Sequence, residues 1–143
     1  MTQKTTQNLY TPTFFLMNLL NFLVLTGTGF FTLYPLYLEN LHKTDTQIGY
    51  IMASYAVAGL LCRFLLAPLI DKYGRKLFTR LGIIIAIISA MLYSLPLPGD
   101  YHLIFVRFFH GIGHALYFTS IFTWIVDYAP KGRMAEAIGT FGI

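Results

Sequence analysis

Long uncharged, apolar runs alternate with short polar segments along this chain. The first apolar run extends from Thr13 to Leu38 without a charged residue. A helix of about 20 apolar residues crosses the hydrocarbon core of a bilayer, and the runs are long enough to do so. They predict an all-α integral membrane protein. Its spanning helices are expected at about 13–38, 48–70, 81–98 and 102–127.

The two ends of the chain differ from these runs. Residues 1–12 are polar and predict a cytoplasmic tail, either flexible or forming a short helix at the membrane surface. Residues 134–143 begin a fifth helix that is too short to cross a bilayer. We therefore expect residues 13–143 to form the partial amino-terminal bundle of a longer membrane protein.

Composition favours lipid as the surrounding solvent. The chain is 56% hydrophobic and 11% charged, whereas soluble domains are about 25% charged. A soluble domain of this size could not cover so much apolar surface. The net charge is +4, and most of the basic residues lie between the apolar runs. This distribution is typical of topology signals and not of a nucleic-acid patch. The single cysteine, Cys62, excludes an internal disulfide.

The distribution of Lys and Arg predicts the orientation in the membrane, because cytoplasmic loops carry an excess of these residues. With the amino terminus inside, Lys43 alone falls in a predicted outer loop. The predicted inner segments hold Lys4, Lys72, Arg75, Lys76, Arg80, Lys131 and Arg133. We therefore expect a multi-pass protein of the cell membrane with a cytoplasmic amino terminus.

Polar residues in the first two runs are candidates for a substrate cavity. Asn18, Asn21, Thr28 and Thr32 fall near one face of the first helix. Since a polar stripe is costly in lipid, this face should contact other helices or a wet cavity. The residues that we expect to line a substrate cavity are Asn18, Asn21 and Arg63, which lies deep within the second run. The alternative is that the stripe only joins helices through hydrogen bonds.

The fourth run carries three ionisable residues on roughly one helix face, namely Arg107, His110 and His114. Histidine titrates near neutral pH, so this face is a candidate for proton transfer. Arg107 lies close to the outer turn, where its long side chain can reach water. Gly111 and Ala115 predict close helix packing beside it. The alternative is a hydrogen-bond network that serves packing alone.

Three motifs resemble the major facilitator superfamily. Asp71-Lys-Tyr-Gly-Arg-Lys is similar to the loop signature Gly-x-x-x-Asp-Arg/Lys-x-Gly-Arg-Arg/Lys between helices two and three, with Ala67 in place of the first Gly. Arg107-Phe-Phe-His-Gly-Ile-Gly-His-Ala is similar to the fourth-helix pattern Arg-x-x-Gln-Gly-x-Gly-x-Ala, with His110 in place of Gln. Asp127, with the Pro, Lys, Gly and Arg that follow, resembles the loop between helices four and five.

The resemblance implies a major facilitator-like helix bundle, the amino-terminal part of a twelve-helix transporter. It implies a conformational latch in which Asp71 bonds a helix of the other half of the transporter. The latch residues would be Asp71, Gly74, Arg75, Lys76 and Asp127. The family also ties the arginine of the fourth-helix pattern to proton coupling. The coupling residues would be Arg107, His110 and His114.

The expected function is secondary active transport of a small organic solute, operating as proton-coupled efflux by alternating access. The expected partners are the solute, protons, the lipid bilayer and the remaining helices, without nucleic acid. Two alternatives stay open. One is proton-coupled uptake of a sugar or similar metabolite, and the other is a non-transporting scaffold or sensor of the same fold. No catalytic triad, metal-ligand spacing or phosphate-binding loop stands out, so neither an enzymatic activity nor a cofactor is expected.

Overall fold

The computed structural model describes residues 8–95 and 99–142, with only the backbone described at Ala67. The elements in chain order are α1 (Pro12–Phe30), a 3₁₀ turn (Phe31–Leu33), α2 (Tyr34–Asn40), α3 (Asp45–Tyr73), α4 (Arg75–Tyr93), α5 (Asp100–Tyr128) and α6 (Met134–Phe141). The predicted all-α architecture is confirmed. Helices α1 and α2 follow one another across the 3₁₀ turn, so the first apolar run is interrupted in its second half.

Helix α5 lies at the centre of the bundle. It packs along its length against α3 and α4, and its buried positions extend from Val106 to Ile125. Ile121 and Ile125 also pack with Phe14 of α1 and Phe141 of α6 in one apolar cluster. The side chains of α5 therefore face protein on most of its circumference.

Small residues bring α5 close to both neighbouring helices. A Cβ atom added to Gly82 of α4 would lie 2.7 Å from the carbonyl oxygen of Gly113. One added to Gly111 of α5 would lie 3.0 Å from the Cβ of Ala58 on α3. Such close backbone approach is a common way of packing helices in membranes, and it confirms the predicted close packing at Gly111.

Within the described ranges, three helical segments are long and apolar enough to cross a membrane. They are Pro12–Asn40, Asp45–Leu66 and Arg75–Tyr93. Helix α5 has 29 residues, a length that also suffices, but Arg107, His110 and His114 lower its hydropathy. Because other helices surround α5, these polar groups face protein and not lipid. The three apolar segments instead expose large hydrophobic side chains on much of their surface.

The predicted loop between the second and third helices is almost wholly helical. Helix α3 continues to Tyr73 and α4 starts at Arg75, before the predicted start at Leu81. Gly74 alone leaves helical geometry, with a φ of 95° that other residues rarely adopt. Charged residues end the apolar run without ending the helix, because their side chains reach water at the membrane surface. Residues 96–98 of the predicted third helix lie outside the described residues, and α4 itself ends at Tyr93.

The polar segment before α1 is not a loose tail over residues 8–11. Leu9 is fully buried, and the Thr11 and Tyr128 hydroxyls are hydrogen-bonded at 2.5 Å. The Tyr10 hydroxyl donates to the carboxylate of Glu136 on α6, at 2.8 Å. Hydrogen bonds from Arg133 and Tyr10 lower the pKa of that carboxyl. The predicted tail residues 1–7, including Lys4, lie outside the described part.

The turns between helices lie at two opposite ends of the bundle. The Gly74 turn and the turn after α5 share one end, where Arg75 pairs with Asp127; we call this the basic end. At the other end Lys43 pairs with Asp100 at 2.5 Å. The hydrogen bond from Lys43 lowers the pKa of the Asp100 carboxyl. This arrangement matches the alternation of turns that the predicted threading requires.

Candidate functional site

Arg75 connects three helices at the basic end. Its Nη1 lies 3.1 Å from Oδ1 of Asp71 on α3, and its Nε donates to Oδ2 of Asp127 on α5. Both carboxylates lie near helix C-termini, where the negative end of the helix dipole disfavours them. The guanidinium of Arg75 offsets that cost for both. The structure thus brings Asp71, Gly74, Arg75 and Asp127 together.

The two acids of this network differ from Arg75 in exposure. The side chain of Asp71 is 69% exposed and that of Asp127 is 53% exposed, whereas Arg75 is 25% exposed. Asp71 therefore retains carboxylate surface for another partner. Lys76 lies apart from the ion pairs, because its ammonium is placed over the ring of Trp124 at 5.4 Å.

Arg107 lies in a cage of aromatic rings inside the bundle. Its Cζ is 4.9 Å from the ring centre of Phe31 and 5.0 Å from those of Tyr34 and Tyr55. Only 3% of the residue is exposed, so the expected reach to water at the outer turn is wrong. The 3₁₀ turn after α1 brings Phe31 and Tyr34 over the guanidinium and closes that path.

The aromatic cage stabilises the Arg107 cation only in part. A cation–π contact contributes about 0.5–2 kcal/mol, while burying an unpaired ion costs several kcal/mol. Nη2 of Arg107 contacts the Met52 sulfur, a weak acceptor, at 3.3 Å. Its buried Nε has no hydrogen-bond partner among the described residues. The guanidinium therefore retains unused capacity to bind an anion.

His110 and His114 lie on the same face of α5 as Arg107, further toward the middle of the helix. The His110 ring is 4.6 Å from Phe31 and 5.4 Å from Tyr55, between ring centres. Its Nδ1 lies 3.5 Å from the Tyr93 hydroxyl, at the long limit for a hydrogen bond. His114 packs between Tyr55 and Phe118. Its buried Nε2 has no hydrogen-bond partner in the described part of the chain.

A mostly apolar cavity of 420 Å³ borders these histidines. It lies between α1, α4 and α5, and its size is within the range of small-molecule sites. Phe31, Ile83 and Ile87 contribute apolar wall, and His110 and His114 contribute polar groups. A second cavity of 750 Å³ lies nearer the end opposite the basic end, lined in part by Phe31, Tyr34 and Tyr93.

The residues predicted to line a substrate cavity lie in two separate places. Asn18 and Asn21 line a groove of 550 Å³ beside Phe141. The Asn21 amide donates to the Phe141 carbonyl at 2.9 Å, which joins α1 to α6, and the Asn18 amide donates to Phe14 of its own helix at 2.8 Å. Arg63 is exposed on α3 and does not line that groove.

Sequence reasoning missed the tyrosines that surround Arg107. Tyr34, Tyr55 and Tyr93 come from α2, α3 and α4, and no shared periodicity connects them along the chain. A buried arginine without an acid within one helical turn of it signals that neighbouring helices must supply partners. That signal was present in the sequence, but it does not identify the partners.

The chain belongs to the major facilitator superfamily. The profile of that superfamily matches residues 14–143, which includes all the helices described above except the first two residues of α1. The match confirms the resemblance drawn from the three motifs. It defines the protein as a multi-pass membrane protein of a transporter family.

Individual relatives cover most of this chain. An uncharacterised MFS-type transporter of Methanocaldococcus jannaschii is 30% identical over 128 residues, which are 89% of this chain and 33% of the relative. Multidrug resistance protein 1 of Bacillus subtilis is 28% identical over 139 residues, 91% of this chain and 35% of the relative. The quinolone resistance protein NorA of Staphylococcus aureus is 24% identical over 119 residues, 82% of this chain and 30% of the relative.

The chain spans 30 to 35% of the length of these curated relatives. No solved structure matches the chain at a significant level.

Proposed function

We propose that this chain acts in the secondary active efflux of a small organic solute, coupled to protons, by alternating access between two helix bundles. The observation that carries this proposal is a helix face beside an apolar cavity, on which Arg107 and His110 are buried and His114 is half-buried. Membership of a transporter superfamily supports it, and the multidrug and quinolone resistance relatives support efflux. The chain has no proposed enzymatic role.

The cavity between α1, α4 and α5 provides a physical basis for exchange. An apolar solute in it displaces the water that a charged imidazole needs. Solute and proton would then compete at His110 and His114, which line the cavity. We propose that protonated histidines accompany the return step and that the solute accompanies the export step. Binding of either one shifts the equilibrium between the two states of the carrier.

The network at the basic end is the proposed conformational latch. Arg75 holds Asp71 and Asp127 at the ends of α3 and α5. The exposed carboxylate of Asp71 would bond a helix of the other half of the transporter in one state and release it in the next. Lys76, over Trp124, would add positive charge at this surface without joining the ion pairs.

We propose that the protein is located in the cell membrane, with the basic end of the bundle facing the cytoplasm. Single thiols test this placement in a Cys62→Ser background. Asn40 and Lys131 lie at opposite ends of the bundle, and both are exposed. Each is replaced by cysteine in a separate variant. We expect a membrane-impermeant maleimide to label Asn40→Cys in intact cells and Lys131→Cys only after permeabilisation. Labelling of both thiols from one side would show that the threading is wrong.

Replacement of Arg107 tests the proposed proton coupling. In vesicles holding a pH gradient, we expect a quinolone to collapse that gradient through the wild-type protein at its natural full length. Arg107→Ala should still let the quinolone move down its own gradient, at a lower rate, but without the proton response. The reason is that the fixed charge beside His110 is lost. A pH-sensitive dye reports protons, and quinolone fluorescence reports the solute.

The matched control is Arg80→Ala, which removes an exposed arginine from α4 and should leave both signals unchanged. A wild-type proton response in Arg107→Ala would remove this residue from the coupling mechanism. If the wild-type protein moves solute without any proton response, coupled transport itself is wrong.

A further inference from the structure

We infer that Arg107, Tyr34 and Tyr55 form a binding site for the carboxylate group of an organic acid. The inference rests on the proposed function only in taking that acid as the transported solute. It assigns a ligand charge and a set of binding donors, neither of which follows from proton coupling.

Among the residues that the structure describes, Arg107 has no counter-ion. All the acidic residues of the sequence lie in turns or near helix ends: Glu39, Asp45, Asp71, Asp100, Asp127 and Glu136. Arg75, Lys43 and Arg133 pair with four of these acids. Across residues 8–95 and 99–142, no acid pairs with Arg107. Its buried positive charge therefore requires an anion from outside these residues.

The groups around the guanidinium are suited to a carboxylate. The buried Nε of Arg107 has no partner within the described ranges, and neither do the buried hydroxyls of Tyr34 and Tyr55. Both tyrosine rings lie 5.0 Å from the arginine Cζ. An arginine binds a carboxylate through two parallel N–H donors, and tyrosine hydroxyls can donate to the remaining lone pairs. The unpartnered hydroxyls thus belong to two residues whose rings contact the same cation.

The walls of the cage indicate what the rest of the ligand should be. Phe31 and Tyr34 separate Arg107 from the 750 Å³ cavity, and Phe31 also lines the 420 Å³ apolar cavity beside His110. A carboxylate would reach Arg107 from either space when the Phe31 and Tyr34 side chains turn aside, and the space would then hold the aromatic or aliphatic body of the acid. These apolar walls favour an organic monocarboxylate over a small inorganic anion, which would gain nothing from them.

Three probes with one ring system and different charges test the inference. They are 2-naphthoate, the uncharged 2-naphthamide and the cation 2-naphthylmethylammonium. Binding to the protein at its natural full length in lipid nanodiscs is measured by calorimetry. We expect naphthoate to bind about tenfold more tightly than naphthamide, and the cation to bind most weakly.

Variants then assign the preference to the named donors. Arg107→Gln should bind naphthoate and naphthamide alike, whereas Arg107→Lys should keep part of the preference because it retains the charge. Tyr55→Phe retains the ring and removes one hydroxyl, so it should weaken naphthoate alone, by a few fold. The matched control is Tyr50→Phe, which changes an exposed tyrosine on the same helix.

Two results would overturn the inference. One is equal affinity of the wild-type protein for the three probes, as expected if an acid elsewhere in the protein already pairs with Arg107. The other is an unchanged preference in Arg107→Gln or, should that variant not fold, in Tyr55→Phe. Naphthoate binding without solute flux would contradict the proposed transport and leave the carboxylate site standing. Proton-driven flux without a preference for naphthoate would contradict the carboxylate site and leave the proposed transport standing.

Discussion

We expect Asp71→Asn to lower transport about 30-fold while membrane insertion and folding stay intact. A shift of this size corresponds to about 2 kcal/mol in the balance between two carrier states, a typical coupling energy. The Asp71 side chain is 69% exposed, and exposed ion pairs contribute only about 0–1 kcal/mol to stability. The substitution should therefore affect the proposed latch far more than the fold. Initial rates in vesicles and detergent thermal stability measure the two effects separately.

Lys72→Gln is the matched control for Asp71→Asn, because Lys72 is exposed in the same helical turn and contacts only the neighbouring Tyr73 ring among the described contacts. We expect it to transport like the wild-type protein. Asp127→Asn removes the other carboxylate held by Arg75 and should have an intermediate effect. Wild-type flux in Asp71→Asn, with normal protein levels, would remove Asp71 from the conformational cycle.

The all-α architecture and the alternation of long apolar helices with short turns could be predicted from the sequence. Both depend on the length of uncharged runs, and the solvent enforces that length on each helix separately. The helix ends could not be predicted this way. The segment around Arg75 is polar because it reaches water, and its backbone is helical nonetheless. Hydropathy reports the membrane boundary and not the end of the helix.

The candidate site was predictable only along single helices. The shared face of Arg107, His110 and His114 follows from helical spacing. Burial of Arg107 by Phe31 and Tyr34 depends on the 3₁₀ turn after α1 and on how three other helices surround α5. These contacts join residues far apart in the chain, so local spacing carries no information about them.

Gly82 shows that close helix packing could not be predicted from the local sequence either. Nothing in the sequence around it distinguishes Gly82 from Gly59, another glycine inside an apolar run. In the structure, a Cβ on Gly82 would meet the backbone of Gly113 and Tyr117, whereas one on Gly59 would meet nothing within 4 Å. The difference comes only from the approach of α5.

We expect Gly82→Ala to unfold the bundle at a markedly lower temperature. The added methyl would lie 2.7 Å from the Gly113 carbonyl oxygen, and backbone atoms of a packed helix cannot move aside as a side chain can. Overpacking of this kind costs about 1–3 kcal/mol, and more where nothing yields. Gly111→Ala should act similarly, since its methyl would contact the Tyr55 carbonyl on α3. Thermal unfolding in detergent should show a loss of about 5 °C or more.

Gly59→Ala is the control that separates helix packing from helix propensity. Alanine favours a helix interior over glycine by about 0.5–1 kcal/mol, so this variant should unfold at an equal or slightly higher temperature. Propensity alone would stabilise Gly82→Ala and Gly111→Ala by the same amount. Opposite signs at Gly59 and Gly82 would therefore measure the close approach of α5 directly. Equal stabilisation at both positions would mean that α4 and α5 lie further apart than in this structure, and that the cavity beside His110 and His114 is differently shaped.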